Sequence, residues 1–448
     1  MENNLPIPPI TLYNTLGRRQ EPFTAAGKIT MYVCGITPYD YPHLGHGRCY
    51  VTFDLLYRLL TFFGHSVTYC RNFTDIDDKL IDRSHRELND SSQYLLLANK
   101  YIEAFQSDIG ALGCINPTYE PRVTTHIPII ITFIEGLIKK GNAYATQGGD
   151  VYYRIASFKE YGKLSQRSLD DLIAGARVSV RVDKEDPLDF ALWKSSEAPG
   201  WESPWGFGRP GWHIECSAMA GEYLGDTIDI HGGGMDLIFP HHENEIAQSE
   251  GLHGKLFARF WIHNAFVRVN QEKMSKSLGN FLTLRDALTE FNPMVLRYYY
   301  LIHHYRSPLD FAPEDIHGAA KSYQRLCILL EPISPASRES ILSSDGALIK
   351  QLLFALCDDL NVAKVMGIIF ESLKTMGPNE LSLLKGLLVH VLGLPLVPLV
   401  KETAVITPEI TRLLTQRDEA RAQKNWSRAD EIRDELKNLG IDVQDTKI

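Results

Sequence analysis

The sequence predicts an α/β fold: a parallel sheet split by a small inserted subdomain, followed by a helical bundle and a small C-terminal domain. Three observations predict it. The chain opens as strand, loop, helix, strand between residues 29 and 70. Its texture changes to a Tyr-, Gly- and charge-rich stretch from about 120 to 210, after which the α/β pattern resumes. Beyond about residue 307 it reads as helix.

In chain order, Ile29-Thr30-Met31-Tyr32-Val33-Cys34 is a β-favouring run that ends at Gly35, followed by a polar turn down to His43-Leu44-Gly45-His46-Gly47. Phe53, Leu55, Leu56, Leu59, Leu60 and Phe63 then recur at helical spacing until Gly64, and Val67-Thr68-Tyr69-Cys70 is a second strand. The opening is thus a βαβ unit of the Rossmann type, whose phosphate site lies at the helix N-terminus. The insertion includes Gly149-Asp150-Val151-Tyr152-Tyr153 and Pro187-Leu188-Asp189-Phe190. Thr227-Ile228-Asp229-Ile230 is a strand running into three glycines, so two halves of one sheet flank the insertion. A Pro/Ser-rich break at 332–344 and a Pro-containing linker near 395–408 punctuate the helical part, and the last forty or so residues read as a charged helical pair. The expected domains are 1–119 and 211–264 for the halves of the catalytic sheet domain, 120–210 for the insertion, 265–306 for a linker region, 307–395 for the bundle and 396–448 for the C-terminal domain.

A length of 448 residues suits two to four domains, and 44% apolar, 23% charged and 10% aromatic residues describe a globular chain. The formal net charge of −9 argues against a protein that grips nucleic acid over its whole surface, though a local basic face remains compatible with it. Seven scattered cysteines without a CxxC pair argue against a disulfide framework and point to a reducing, cytoplasmic compartment. The N-terminus lacks the basic start and apolar core of a secretory signal. The most apolar tract, 381–406, is interrupted by Lys385, His390, Gly393, Pro395 and Pro398, which makes it a helix and linker rather than a membrane span.

Three constellations carry chemistry. Pro42-His43-Leu44-Gly45-His46-Gly47 sits where a loop enters a helix, so an anion there meets free backbone N–H groups, the positive helix end and two imidazoles, with Gly45 and Gly47 permitting close approach. Lys273-Met274-Ser275-Lys276-Ser277 puts two lysines on a short loop able to neutralise a departing pyrophosphate. Pro240-His241-His242-Glu243-Asn244-Glu245 places His241 and Glu245 four apart on one helix face. Together with Cys34 and Cys216 they form a possible Cys₂-His-Glu metal site, although the same cysteines also read as buried apolar thiols.

In this order, on a split α/β sheet, the first two motifs resemble the HIGH and KMSKS signatures of the class I aminoacyl-tRNA synthetases, with Leu44 in place of Ile. Longer segments resemble the cysteinyl-tRNA synthetase family: Met31-Tyr32-Val33-Cys34-Gly35-Ile36-Thr37, Gly208-Arg209-Pro210-Gly211-Trp212-His213-Ile214-Glu215-Cys216, Asp229-Ile230-His231-Gly232-Gly233-Gly234 through Glu245, and Asn72-Phe73-Thr74-Asp75-Ile76-Asp77-Asp78, where Phe73 replaces a usual aliphatic. The likeness runs from about residue 11 almost to the C-terminus.

The resemblance implies an enzyme that activates L-cysteine with Mg-ATP and transfers it to the terminal ribose of tRNA(Cys). It implies one zinc held by Cys34, Cys216, His241 and Glu245. It also implies phosphate contacts from His43, Gly45 and His46, a leaving-group clamp of Lys273 and Lys276 with Lys276 touching ATP, a cysteine pocket of Cys34, Thr74, Trp212 and His231, and an adenosine site at Gly233 and Asp236. Zinc suits the task, because a shape-only pocket separates cysteine from serine by a few kcal/mol at best, whereas a soft ion binds the thiolate directly. The bundle and the terminal segment with Arg412, Arg417, Arg421, Lys424, Trp426, Arg428 and Arg433 would face the anticodon of the tRNA, in a monomer. Family members commonly continue past Asp445 with a Gly-, Trp- and Arg-containing tail, which leaves anticodon reading open here. Two other readings are a ligase joining cysteine to a sugar amine and a non-catalytic tRNA or cysteine sensor. The retained bundle speaks against the first, and the paired histidines and lysines against the second.

Overall fold

The computed structural model describes residues 8–25, 27–167, 184–269, 272–273, 282–399 and 408–438. The chain falls into two compact units, Met1–Leu396 and Val397–Ile448. At the centre of the first lies a four-stranded, all-parallel sheet in the order Ala258–Asn264, Ile228–Gly234, Lys28–Ile36, Ser66–Phe73. Strands covered on both faces read as continuous apolar runs, and Ile29, Met31, Tyr32 and Val33 are all fully buried. Successive side chains point to opposite faces. On one face Tyr32, Cys34 and Cys70 pack with Cys216 and Ala220 of the helix Trp212–Leu224 and with Ile246 and Trp261. On the other, Gly232, paired with Val33, leaves room for Phe53 of the helix Leu44–Phe62: a Cβ at Gly232 would lie 2.2 Å from that ring.

The strands expected at 29–34, 67–70 and 227–230 all form and run further, and the expected helix starts at Leu44, directly after His43. The helix Leu44–Phe62 carries the chain to the strand on one side of Lys28–Ile36, while Ile228–Gly234 lies on its other side. The crevice at the C-terminal ends of these two central strands is therefore the topological switch point, where open α/β sheets place ligands. Backbones close tightly there: a Cβ on Gly35 would fall 1.5 Å from the Asn72 carbonyl oxygen, and the pairing register shifts between Val33 and Ile36.

An antiparallel sheet of Ala143–Ala145, Val151–Tyr153, Phe190–Ser195 and Gly208–Pro210 stands between the two halves of the parallel sheet. Asp78, at the head of the helix Asp78–Leu88, ties it down by ion pairs to Lys194 at 3.1 Å and Arg209 at 2.7 Å. Helices begin earlier than the sequence reading places them. Leu284–Glu290 and Pro293–Ile302 fall inside the expected linker, started by side-chain caps from Thr283 and Asn292. Pro313–Leu330, Ala347–Cys357, Val362–Ser372 and Pro378–His390 continue the helical part. An unanticipated hairpin, Thr11–Asn14 with Arg19–Pro22, joins it through the Tyr13 N–H, which donates to Asp359 Oδ1 at 2.8 Å.

The second unit contains the helices Pro408–Ala422 and Trp426–Asn438, closed on one another by Ile410, Leu413, Ile432 and Leu436. Among the described residues no helix is long and apolar enough to cross a membrane.

Candidate active site

His43 is the N-cap of Leu44–Phe62, and it forms a reciprocal box with His46. The His43 N–H donates to Nδ1 of His46 at 3.1 Å, and the His46 N–H donates to Nδ1 of His43 at 3.3 Å. Each Nδ1 is thereby an acceptor, so each ring carries a proton on Nε2. The rings stack at 3.7 Å. Burial, and then the neighbouring His43, holds the His46 pKa well below its ordinary value. His46 is therefore a neutral N–H donor at the positive end of a helix, an arrangement suited to phosphate oxygens.

A cavity of about 450 Å³ opens at this point, lined by His43, Gly45 and His46 on one side and by Cys34, Trp212 and Asp236 on another. Beneath it Cys34, Cys216, His241 and Glu245 are all buried and offer donor atoms within 4.8 Å of one another. Cys34 Sγ lies 3.9 Å from Cys216 Sγ and 3.5 Å from Glu245 Oε1, and His241 Nε2 lies 3.1 Å from Glu245 Oε1. A second set, Cys34, His231, His242 and Glu245, shares two members with it. Burial alone would raise the Glu245 carboxyl, but the His231 and His241 imidazoles hold it well below its usual range. The cluster is one that could hold a metal ion. His241 does not stand on a regular helix with Glu245, as the spacing suggests. It sits in a π-type turn, Ile238–His242, with non-helical backbone at Phe239, and Glu243–His253 follows as the α-helix.

Of the residues predicted for the amino-acid pocket, Cys34 and Trp212 line the cavity, and Trp212, 41% exposed, stacks on His241 at 4.4 Å. Thr74 and His231 are buried: the Thr74 hydroxyl donates to Glu215 Oε2 at 2.8 Å, and His231 Nε2 meets Glu245 Oε2 at 2.8 Å. Of the adenosine residues, Asp236 lines the cavity. Gly233 is buried, packed so that a Cβ would lie 2.8 Å from Leu237 Cδ1. Lys273 ends the short strand Glu272–Lys273, which pairs with Val267–Val269, while Lys276 lies outside the described residues.

Three residues escape the sequence reading. His242 sits 3.3 Å from Cys34 Sγ and passes through Nδ1 to His263 Nε2 at 2.8 Å, which in turn reaches the Thr15 hydroxyl at 2.7 Å. The adjacent pair His241-His242 signals the first of these; nothing local signals His263. Arg48, fully buried one turn into the helix, donates to the carbonyls of Ala265, Phe266 and His304 at 3.1, 3.1 and 3.0 Å and to that of Ser307 at 2.5 Å. It fixes a segment, Ala265 and Phe266, that lines the cavity.

Comparison with known proteins agrees with this geometry. The family described as tRNA synthetases class I (C) catalytic domain matches residues 20–321, and the family described as Cysteinyl-tRNA ligase anticodon binding domain matches residues 403–447. Among solved structures, a Mycobacterium tuberculosis methionyl-tRNA synthetase in complex with methionyl-adenylate superposes with a TM-score of 0.59 at 15% identity, covering 82% of this chain and 90% of its own. The leucyl enzyme of an Agrobacterium radiobacter ternary complex gives 0.57 at 11% identity, covering 84% and 85%. The fold and its catalytic domain are those of a class I aminoacyl-tRNA synthetase. Cysteine–tRNA ligases of Trichlorobacter lovleyi and Geobacillus thermodenitrificans are 44% and 46% identical, each covering 98% of this chain, and 98% and 97% of their own length is covered. The chain belongs to the cysteine–tRNA ligase family.

Proposed function

We propose that this protein activates L-cysteine with Mg-ATP and transfers it to the 3′-terminal ribose of tRNA(Cys), selecting cysteine through a zinc ion. The observation that carries this is the pairing, on one cavity, of two Nε2–H donors at a helix N-terminus with a buried Cys₂-His-Glu donor set. Zinc bonds of about 2.3 Å to sulfur and about 2.0 to 2.1 Å to nitrogen or oxygen give tetrahedral edges of roughly 3.3 to 3.8 Å. The separations of 3.9, 3.5 and 3.1 Å among Cys34, Cys216, Glu245 and His241 fit that frame. The rival set fits less well, since His242 Nε2 stands 4.0 Å from Glu245 Oε1 and His231 is held to Glu245 by a hydrogen bond. When bound, zinc supplies a soft Lewis-acid site that prefers a thiolate to a serine hydroxyl.

In the first step the cysteine carboxylate attacks the α-phosphorus of ATP, and pyrophosphate leaves with the electrons of the broken P–O bond. His43 and His46 donate to the phosphate oxygens as charge builds, and Lys273 and Lys276 receive the pyrophosphate. In the second, a ribose hydroxyl of the tRNA attacks the adenylate carbonyl and AMP departs. Trp212 closes the amino-acid side of the cavity, with Thr74 and His231 buttressing it. Gly233 and Asp236 lie toward the adenosine. The domain limits expected from the sequence complete the proposal: catalytic halves 1–119 and 211–264, insertion 120–210, linker 265–306, bundle 307–395 and anticodon-side domain 396–448, in a cytoplasmic monomer.

The test is cysteine-dependent exchange of pyrophosphate into ATP, with serine as control, and tRNA charging in the same preparation. Metal content and thiol reactivity are followed during chelation. Removal of about one zinc per chain should abolish exchange and open Cys34 and Cys216 to thiol reagents. Exchange without charging would favour ligation of cysteine to a small amine, and exchange indifferent to the metal would remove zinc from the mechanism. A stable dimer in sedimentation would overturn the monomer.

A further inference from the structure

Cys34 stands near the end of the strand Lys28–Ile36 and Cys216 in the helix Trp212–Leu224, 182 positions away, so no local geometry sets the distance between their sulfurs. A run of buried hydrogen bonds spans the gap. In the ladder between Lys28–Ile36 and Ser66–Phe73, Val33 pairs with Arg71 and Ile36 with Phe73, so Cys34 and Gly35 together face Asn72. Such a bulge breaks the ladder and re-aims the side chains beside it. The Gly35 N–H donates to the Asn72 side chain instead, meeting Oδ1 at 2.9 Å. Asn72 Nδ2 donates to the Thr74 hydroxyl oxygen at 3.4 Å, and that hydroxyl donates to Glu215 Oε2 at 2.8 Å. Thr74 is fixed as well by its own N–H, which donates to the Ile36 carbonyl at 3.0 Å.

The bonds thus run from the peptide that follows Cys34 to the residue that precedes Cys216. Asn72 and Glu215 are each 1% exposed, and neither lines the cavity, so they act on the site from behind it. Asn72 Oδ1 also lies 3.7 Å from Cys216 Sγ. That contact needs the protonated thiol and is given up when the thiolate binds a metal, whereas the bonds to Gly35 and Thr74 do not depend on it. Metal ligands are oriented by groups that stand behind them. Glu245 has His231 in that place, and His241 has His213 at 3.0 Å. For the two cysteines the corresponding place is taken by Asn72 and Glu215.

We infer that Asn72 and Glu215 are positioning residues that, joined through Thr74, hold the Cys34 and Cys216 sulfurs at a zinc-binding separation before the ion arrives. The 3.9 Å between the sulfurs is close to the roughly 3.8 Å edge of a tetrahedron with zinc–sulfur bonds of about 2.3 Å. The inference rests on the zinc reading above. Cutting the brace at either end releases one cysteine from the other, and the ion then holds the substrate thiol less well.

The experiment uses the full chain with Asn72→Ala, Glu215→Ala, their combination, and Glu215→Gln, which keeps an acceptor for Thr74. Metal-free protein is titrated with zinc against a competing chelator, and with cobalt(II), whose thiolate and ligand-field bands report the geometry of the site. Each alanine variant should lose about 10- to 100-fold in zinc affinity and shift the cobalt bands. The combined variant should lose no more than the weaker single one, because both changes cut one brace. Glu215→Gln should stay within about threefold of the unaltered protein, since the acceptor remains. KM for cysteine should rise at least about fivefold in the alanine variants while KM for ATP stays within about twofold. Thermal unfolding shows which variants fold; if Asn72→Ala does not, the two Glu215 variants decide. Zinc affinity and cobalt bands unchanged in a folded alanine variant, losses that add in the combined one, a glutamine as weak as the alanine, or KM for ATP rising in step with KM for cysteine would each overturn the brace. Unaltered protein that takes up no zinc would instead sink the zinc reading, and the brace with it.

Discussion

His43 and His46 use one pair of hydrogen bonds for two purposes. The box caps the helix Leu44–Phe62, and the same bonds commit both Nδ1 atoms as acceptors, which leaves both Nε2–H groups as donors. His46→Ala should therefore lower pyrophosphate exchange by on the order of 10²-fold or more, the scale of a lost transition-state donor, with little change in KM for cysteine. Unchanged exchange would remove His46 from the phosphate site. Arg48 acts through structure. Burial brings its pKa down to about 10, so it stays charged at neutral pH, its two Nη groups donating to four carbonyls. Arg48→Met would strand those acceptors at about 1 to 3 kcal/mol each, a sum comparable to the whole stability of a domain. Such a protein should not fold. Arg48→Lys should fold with a lowered Tm and a raised KM for ATP, because Ala265 and Phe266 line the cavity. A lysine variant identical in both measurements would show that the clamp is dispensable. This residue was illegible in the sequence, since its acceptors are backbone carbonyls some 217 to 259 positions away. His43 and His46 were legible because everything that defines them lies within four residues.

Legibility follows the same rule at the scale of elements. The strands at 29–34 and 67–70 were readable because a doubly covered strand needs a continuous apolar run, and each run is local. The hairpin Thr11–Asn14 with Arg19–Pro22 was missed because its burial comes from distant partners, as when Asn14 accepts the Trp261 N–H at 2.9 Å. The cysteine pair Cys34 and Cys216, 182 residues apart, read from the residues alone as either metal ligands or buried thiols, and only the family resemblance chose between the two. The insertion has its own testable tether. Burial raises the Asp78 carboxyl, but Lys194 and then Arg209 more than offset this and leave it below its ordinary value. A carboxyl lowered on folding adds stability above its unfolded pKa of about 3.9, and that stability disappears as pH falls through the folded value. Asp78 is substantially exposed, so the contribution is screened to below about 1 kcal/mol. Asp78→Asn should thus lower Tm slightly at pH 6 and low salt, and the gap from the unaltered protein should close as the pH is taken below about 4 or the salt is raised. A gap that high salt leaves unchanged would mean that the aspartate acts by packing instead.

For the whole molecule, the two compact units predict that the two half-reactions separate. His43, His46 and the Cys34, Cys216, His241, Glu245 cluster all lie within Met1–Leu396, and so does the buried apolar core around them. The second unit closes its own small core with Ile410, Leu413, Ile432 and Leu436, and it contains the whole of the segment matched as an anticodon binding domain. Its helices are charged on the outside with both signs, Arg412, Lys424 and Arg428 standing exposed among Asp418, Glu419 and Glu431, and Trp426 is 59% exposed. A chain ending at Leu396 should accordingly keep cysteine-dependent pyrophosphate exchange within about twofold, because neither the donors nor the cavity is cut. Its KM for tRNA should rise by about tenfold to hundredfold, or about 1.4 to 2.7 kcal/mol of binding, while kcat at saturating tRNA changes little. If exchange fell together with charging, the first unit would depend on the second for its fold. If KM for tRNA did not move, the second unit would not contribute to tRNA binding, and the recognition of tRNA would have to reside in the first unit alone.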